Sequence, residues 1–377
     1  MAAGSPQSIG EVAAGAEVIE LPDAIVIPAL VNAHAHLDLT HVGPQPCSPD
    51  QTFADWATMI RLRRATSDGE IRDSVQRGID LSITGGTAAV GDIAGGRSLV
   101  PLEALRGSGL LGTSFLEVFG IGSRQDAAAA FLRETAAHVS AIENGVRLGL
   151  QPHAPYSCSL DVYRTAASLG LPLSTHLAES LEEIEFVRSA TGPLAEMLKQ
   201  LGVWNDGIHA SGQHPVDHLG SVIGDYPCLA AHLNYVDDSH LTKLARWPIS
   251  VAYCPRASAY FGHPHQGRPA HRYREMLDAG INVALGTDSI VCLPRDQADR
   301  LSVLDEMRFL HQRDGVDPML LLRMATINGA RALDIDVQSV TLQPGRCAGL
   351  IAVRIDPKES GRPLTQLVSP SSRLRGT

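Results

Sequence analysis

Short apolar runs of strand length alternate with helical stretches along most of the chain. The runs cover residues 25–31, 87–92, 109–117, 147–153, 171–176, 228–232, 249–253 and 281–288. Between them, residues 51–64, 73–84, 126–143, 160–169, 180–190, 239–246 and 300–313 read as helices. Strands buried on both faces show as near-continuous apolar runs, and a strand that returns through a helix pairs in parallel. The pattern predicts an α/β fold, a (β/α)8 TIM barrel over residues 24–335. Strand count alone leaves an open doubly wound sheet as the alternative. The polar residues favour the barrel. The runs end in His34 and His36, Glu117, His153, His176, His232 and Asp288. In a barrel these C-terminal strand ends share one face, where active sites lie. The flanks, 1–23 and 336–377, are turn-rich and weakly periodic, with a strand-like Leu350-Ile351-Ala352-Val353. A small, truncated β-subdomain made from both chain ends is expected. Residues 202–224 read as the longest loop.

The chain has 377 residues, 44% hydrophobic and 19% charged, enough for one large barrel with a small appendage. A net charge of −10 argues against a nucleic-acid partner. No segment reads as a signal peptide or a membrane span, so a cytoplasmic protein that acts on a small molecule is expected. The 6 cysteines are scattered, with no CxxC pair, and read as reduced thiols.

The candidate chemistry begins with His34-Ala35-His36. On a strand, residues i and i+2 point the same way, so both imidazoles can meet one ion. Alone, an HxH is as readily a surface pair, His176 a buried histidine held by backbone, and Asp288 a helix N-cap. Four such groups on three strands of one barrel make a more specific pattern. Gly107-Ser108-Gly109-Leu110-Leu111-Gly112 matches GxGxxG but precedes a strand, the wrong side for a dinucleotide site. Walker, PCxxC, GxSxG and HExxH motifs are absent.

The set His34-Ala35-His36, His176-Leu177-Ala178-Glu179, His232 and Gly286-Thr287-Asp288-Ser289 resembles the amidohydrolase superfamily. Within it the chain is similar to the branch of nucleobase and nucleoside deaminases and triazine chlorohydrolases, and closest in look to aminodeoxyfutalosine deaminases. Pro152-His153-Ala154-Pro155-Tyr156-Ser157, Cys254-Pro255-Arg256 and Ala325-Thr326-Ile327-Asn328-Gly329-Ala330 support the likeness, which runs from about residue 17 to 353. Ala35, Asp38 and Cys347-Ala348-Gly349-Leu350 depart from the usual pattern. The resemblance implies one divalent metal on His34, His36, His176 and Asp288, zinc first and iron(II) as the alternative. Binuclear relatives use a bridging lysine on the fourth strand, and this chain has only Lys199, Lys243 and Lys358, so a mononuclear centre is expected unless a glutamate such as Glu117 bridges instead.

The expected reaction is hydrolytic deamination of an aromatic ring amine, with a 6-aminopurine nucleoside first. Asp288 would take the water proton, His232 orient the water and Glu179 shuttle the proton. His153 and Glu117 would contact substrate. Hydrolysis of a cyclic amide or a halogenated triazine, a metal-free structural relative and a plain binding module are the other readings. The resemblance is compatible with a homodimer.

Overall fold

The computed structural model describes residues 17, 19–48, 50–139, 142–263, 270–343, 347–356, 358, 362–369 and 372–374. Apolar segments with few polar interruptions become a parallel wall whose neighbours run β2 (Leu30–Ala35), β3 (Thr87–Ala94), β4 (Leu111–Val118), β6 (Val146–Pro152), β7 (Leu173–Leu177), β8 (Cys228–His232), β9 (Ile249–Tyr253) and β10 (Asn282–Leu285). A parallel bridge from Ala35 to Asp288 joins the last strand end to the first and closes the barrel. Its lumen is packed with Val31, Ala33, Ala89, Phe115, Leu229, Ala231, Ala252 and Ala284, all at most 2% exposed. A larger apolar layer lies between the strands and the surrounding helices. These two layers leave only the strand ends free to carry polar groups.

The small sheet is antiparallel. β1 (Ala24–Pro28) pairs with β11 (Leu350–Arg354), which pairs with β12 (Arg373–Leu374). The first apolar run therefore divides. Residues 24–28 belong to the small sheet and residues 30–35 to the barrel, with Ala29 between them. Residues 1–16 of the expected N-terminal segment lie outside the described residues.

Two further expectations change. The segment 202–224 is a loop only in its first part, because Pro215–Ile223 is a helix with Pro at its first position and His214 as its N-cap. The helix expected over 126–143 is Gln125–His138, and β5 (Ile142–Glu143) pairs antiparallel with β6. Among the described residues no helix is long and apolar enough to cross a membrane.

Candidate active site and metal centre

The strand ends converge on one cavity of about 430 Å³, lined by His36, Glu117, His153, His176, Glu179, His232 and Asp288 among others. His34 lies beneath its floor, fully buried, with its ring 5.1 Å from those of His36 and His176 and 5.5 Å from that of His232. All eight residues singled out from the sequence are thus brought together. Phe53, Trp56 and Tyr156 form an apolar wall. Phe53 and Trp56 come from the helix Phe53–Arg63, capped by Thr52 and by the Glu182 carboxylate, which accepts the Phe53 and Ala54 N–H groups.

Among the described residues three groups of donors stand at the floor, one of them Glu117 and His153 with His176. The His34, His36 and His176 nitrogens cluster on one side, and the Glu179, His232 and Asp288 atoms on the other, each set within 4.8 Å. His36 Nε2 is 3.3 Å from His176 Nε2 and 3.4 Å from Asp288 Oδ1. His34 Nε2 is 3.9 Å from the same carboxylate oxygen. Two ligands on a tetrahedral ion at the usual zinc distances lie about 3.3 Å apart. Both His34 nitrogens and His36 Nδ1 are buried without a hydrogen-bond partner. Burial, reinforced by the neighbouring imidazoles, pushes the His34, His36 and His232 pKa values well below the ordinary histidine value. Burial also lowers the His176 pKa. Neutral, unpartnered imidazole nitrogens facing a carboxylate are costly to bury without a cation. The residues present therefore fit a divalent ion.

The backbone is bent to aim these groups. Asp288, His232, Leu233 and Ala178 have φ of 56°, 75°, 52° and 49°, in the left-handed region that side chains usually avoid. Each such residue costs on the order of 1–3 kcal/mol and persists where its surroundings hold it. Here Asp288 N–H donates to the His34 carbonyl at 3.0 Å, Leu233 N–H to the Leu177 carbonyl at 2.9 Å, and the His232 carbonyl meets His271 Nε2 at 2.7 Å. The Glu183 carboxylate accepts the Ala178 and Glu179 N–H groups at 2.9 and 2.8 Å, and Asn234 donates to the Glu179 carbonyl at 3.0 Å. Glu179 is thereby fixed with Oε1 3.5 Å from His232 Nε2. Burial, with Asp288 and Glu183 nearby, raises its pKa well above the carboxylate range. Burial raises the Asp288 pKa to about 7.

The chain matches the amidohydrolase family over residues 25–371. It belongs to the amidohydrolase family.

This amidohydrolase is 29% identical over 330 residues to an aminodeoxyfutalosine deaminase of Deinococcus radiodurans, covering 83% of this chain and 74% of the relative. It is 29% identical over 356 residues to a 5-methylthioadenosine/S-adenosylhomocysteine deaminase of Moorella thermoacetica, covering 89% and 74%. Its fold matches that of Helicobacter pylori aminofutalosine deaminase in complex with methylthio-coformycin, with a TM-score of 0.71, 20% identity and coverage of 92% and 82%. It also matches that of the atrazine chlorohydrolase of Arthrobacter aurescens complexed with zinc, with a TM-score of 0.72, 21% identity and coverage of 94% and 81%.

Several residues of this amidohydrolase's site escaped sequence reasoning. Arg64, the residue after the helix Phe53–Arg63, lies 2.7 Å from Glu117 and 3.3 Å from Asp38. Asp92 accepts the Leu37 N–H and the Ser114 hydroxyl. On β6, Gln151 approaches His176 Nδ1 at 3.3 Å, and no lysine stands on that strand. Gly286, within the quoted Gly286-Thr287-Asp288-Ser289, matters for space. A Cβ there would meet the His34 Cβ and carbonyl at 2.8 Å.

Proposed function

We propose that this amidohydrolase is a mononuclear hydrolytic deaminase of a 6-aminopurine nucleoside, with aminodeoxyfutalosine first and adenosine-type compounds second. The observation that carries the reading is Glu179. It is a buried carboxyl group with Oε1 3.5 Å from His232 Nε2, in the cavity lined by His36, His176 and Asp288 and floored by His34, and burial with Asp288 and Glu183 nearby pushes its pKa well above the ordinary carboxylate value. A protonated acid beside a water-activating site is what addition to a ring carbon needs.

His34, His36, His176 and Asp288 would hold the ion, zinc first and iron(II) second, since this donor set suits both. When bound, the ion supplies the positive charge that acidifies water at neutral pH. Asp288 takes the proton of the attacking water and His232 orients its oxygen. Glu179 protonates the ring nitrogen, which makes the adjacent carbon electrophilic. The new C–O bond then replaces the C–N bond as the proton is relayed to the amino group. Water is consumed and ammonia leaves, so the ring amine becomes the ring carbonyl. His153, whose Nδ1 is engaged by the Ser157 hydroxyl at 2.7 Å, and Glu117 supply polar contacts to substrate beside His176.

A panel of 6-aminopurine nucleosides incubated with metal-loaded protein tests this. Stoichiometric ammonia with conversion of the adenine spectrum to that of hypoxanthine is expected. No ammonia from any of them, together with opening of a cyclic amide or dechlorination of a triazine, would overturn the deaminase reading and leave the barrel and its donors standing.

A further inference from the structure

Arg64 follows the helix Phe53–Arg63 in extended backbone, and its guanidinium runs inward to two buried carboxylates with only 14% of the side chain exposed. Its Nη1 holds Glu117 Oε2 at 2.7 Å, and its Nε lies 3.3 Å from Asp38 Oδ2. The second Glu117 oxygen, Oε1, has His153 Nε2 as its ion-pair neighbour, at 3.8 Å, beyond hydrogen-bond reach. Glu117 nonetheless lines the cavity. One oxygen is therefore clamped and the other is left as an acceptor towards the ligand space.

The loop after β3 is shaped for the same guanidinium. A Cβ on Gly95 would sit 2.0 Å from Arg64 Nη1 and 2.2 Å from Cζ. Any side chain there must push the guanidinium off its carboxylates. A charge-assisted bond at this distance is strong and directional, and fixes the plane of the carboxylate it holds. A carboxylate already fixed in its bound orientation loses less freedom when ligand arrives.

We propose that Arg64 is a positioning residue for substrate binding: it clamps one oxygen of Glu117, presents the other to a hydrogen-bond donor of the nucleoside, and depends on glycine at position 95 for its place. This rests on the reading of the cavity as a nucleoside site. Glu117 nears the metal donors through His176, within 4.8 Å, but the clamp acts on ground-state binding, so its signature is a split between KM and kcat at unchanged metal content.

The test compares Arg64→Met, Gly95→Ala, Glu117→Gln and the Arg64→Met/Glu117→Gln double variant with wild type on the nucleoside that the panel identifies. Metal content is measured on the same samples. Arg64→Met and Gly95→Ala are each expected to raise KM at least ~10-fold, with kcat within about 3-fold of wild type and metal content unchanged. The double variant should be no worse than Glu117→Gln alone, because the two residues act as one unit. Wild-type KM in both single variants, or full multiplication of the two effects in the double, would overturn the proposal. Arg64→Met strands two buried carboxylates and can fail to fold. Gly95→Ala, which keeps every charge, then decides by the same KM criterion. Failure of the nucleoside reading looks different: wild type itself would release no ammonia from the panel, and the proposal would fall with it.

Discussion

Two buried polar clusters share the mouth of the barrel and are neutralised in opposite ways. On one side His34, His36, His176, His232 and Asp288 gather neutral imidazoles and a carboxylate with no protein cation among them, and three of their nitrogens have no partner. On the other side Asp38, Asp92 and Glu117 surround Arg64, which brings the positive charge from within the chain. The first cluster makes chemical sense only around an added ion. The second is complete without one, though it holds three carboxylates to one guanidinium. Burial accordingly raises the Asp92 pKa to about 7 and the Asp38 pKa to about 6. Burial works against the Glu117 carboxylate as well, yet Arg64 and His153 hold its pKa below the ordinary value. Glu117 therefore ionises most readily of the three carboxyl groups. The contrast separates a cluster of unpartnered donors from one that carries its own counter-charge.

The contrast breaks most sharply at the metal side. Removing a donor with His34→Ala is expected to abolish metal retention and activity together, read by elemental analysis and ammonia release. An intact, metal-bearing, active variant would show that the imidazole cluster is structural. Next is Glu179→Gln, which should keep its metal and lose at least ~10²-fold in kcat. Wild-type turnover there would reduce Glu179 to a hydrogen-bonding support.

Gly286→Ala probes the packing under the same cluster. With His34 Cβ and backbone only 2.8 Å from the new methyl, overpacking should cost roughly 1–3 kcal/mol and weaken metal retention. Thermal denaturation and a chelator competition measure both, and wild-type values in each would contradict the close packing described.

The self-neutralised side is read through the pH dependence of stability, with activity little changed. Asp92 faces the Leu37 N–H, the Ser114 hydroxyl and the charges of Asp38, Glu117 and Arg64. Its folded pKa of about 7 lies above the ordinary aspartate value of 3.8. The folded chain therefore holds this proton more tightly than the unfolded one. The stability it lends is fully present below about pH 4 and is lost as pH rises through about 7. Asp92→Asn removes that loss. Relative to wild type, the variant should gain stability between pH 4 and 7 and keep a constant advantage above, on the order of 1–4 kcal/mol. Urea unfolding at several pH values checks this, and a difference independent of pH would refute it.

How much of this was legible follows the same division. His34, His36, His176 and Asp288 stood out because imidazoles and a carboxylate at the ends of apolar strands are out of place, and alternation along β2 puts His34 and His36 on one side. The eight-strand order was legible for the same reason, since runs buried on both faces leave no polar alternation. The Arg64 cluster was not. Arg64 stands just past the end of the helix Phe53–Arg63, where an arginine ordinarily meets solvent, and its partner Glu117 is 53 residues away. Asp92 reads as the polar end of a strand and Gly95 as an ordinary turn residue. Only the closed barrel shows that Gly95 makes room for a guanidinium. The division of the first run between two sheets was hidden because both halves are apolar, with Pro28 its only local mark. The helix Pro215–Ile223 did carry a sequence signal, a proline at its first position, inside a segment that its glycines and histidines made look like loop.

The most direct test of the central claim is a metal titration of chelator-treated protein, following ammonia release from the nucleoside substrate at each step. Metal-free protein should give no release, and the rate should rise linearly and saturate at one equivalent of divalent ion per chain. Full activity before any metal is added, or a rate that keeps rising to two equivalents, would contradict it.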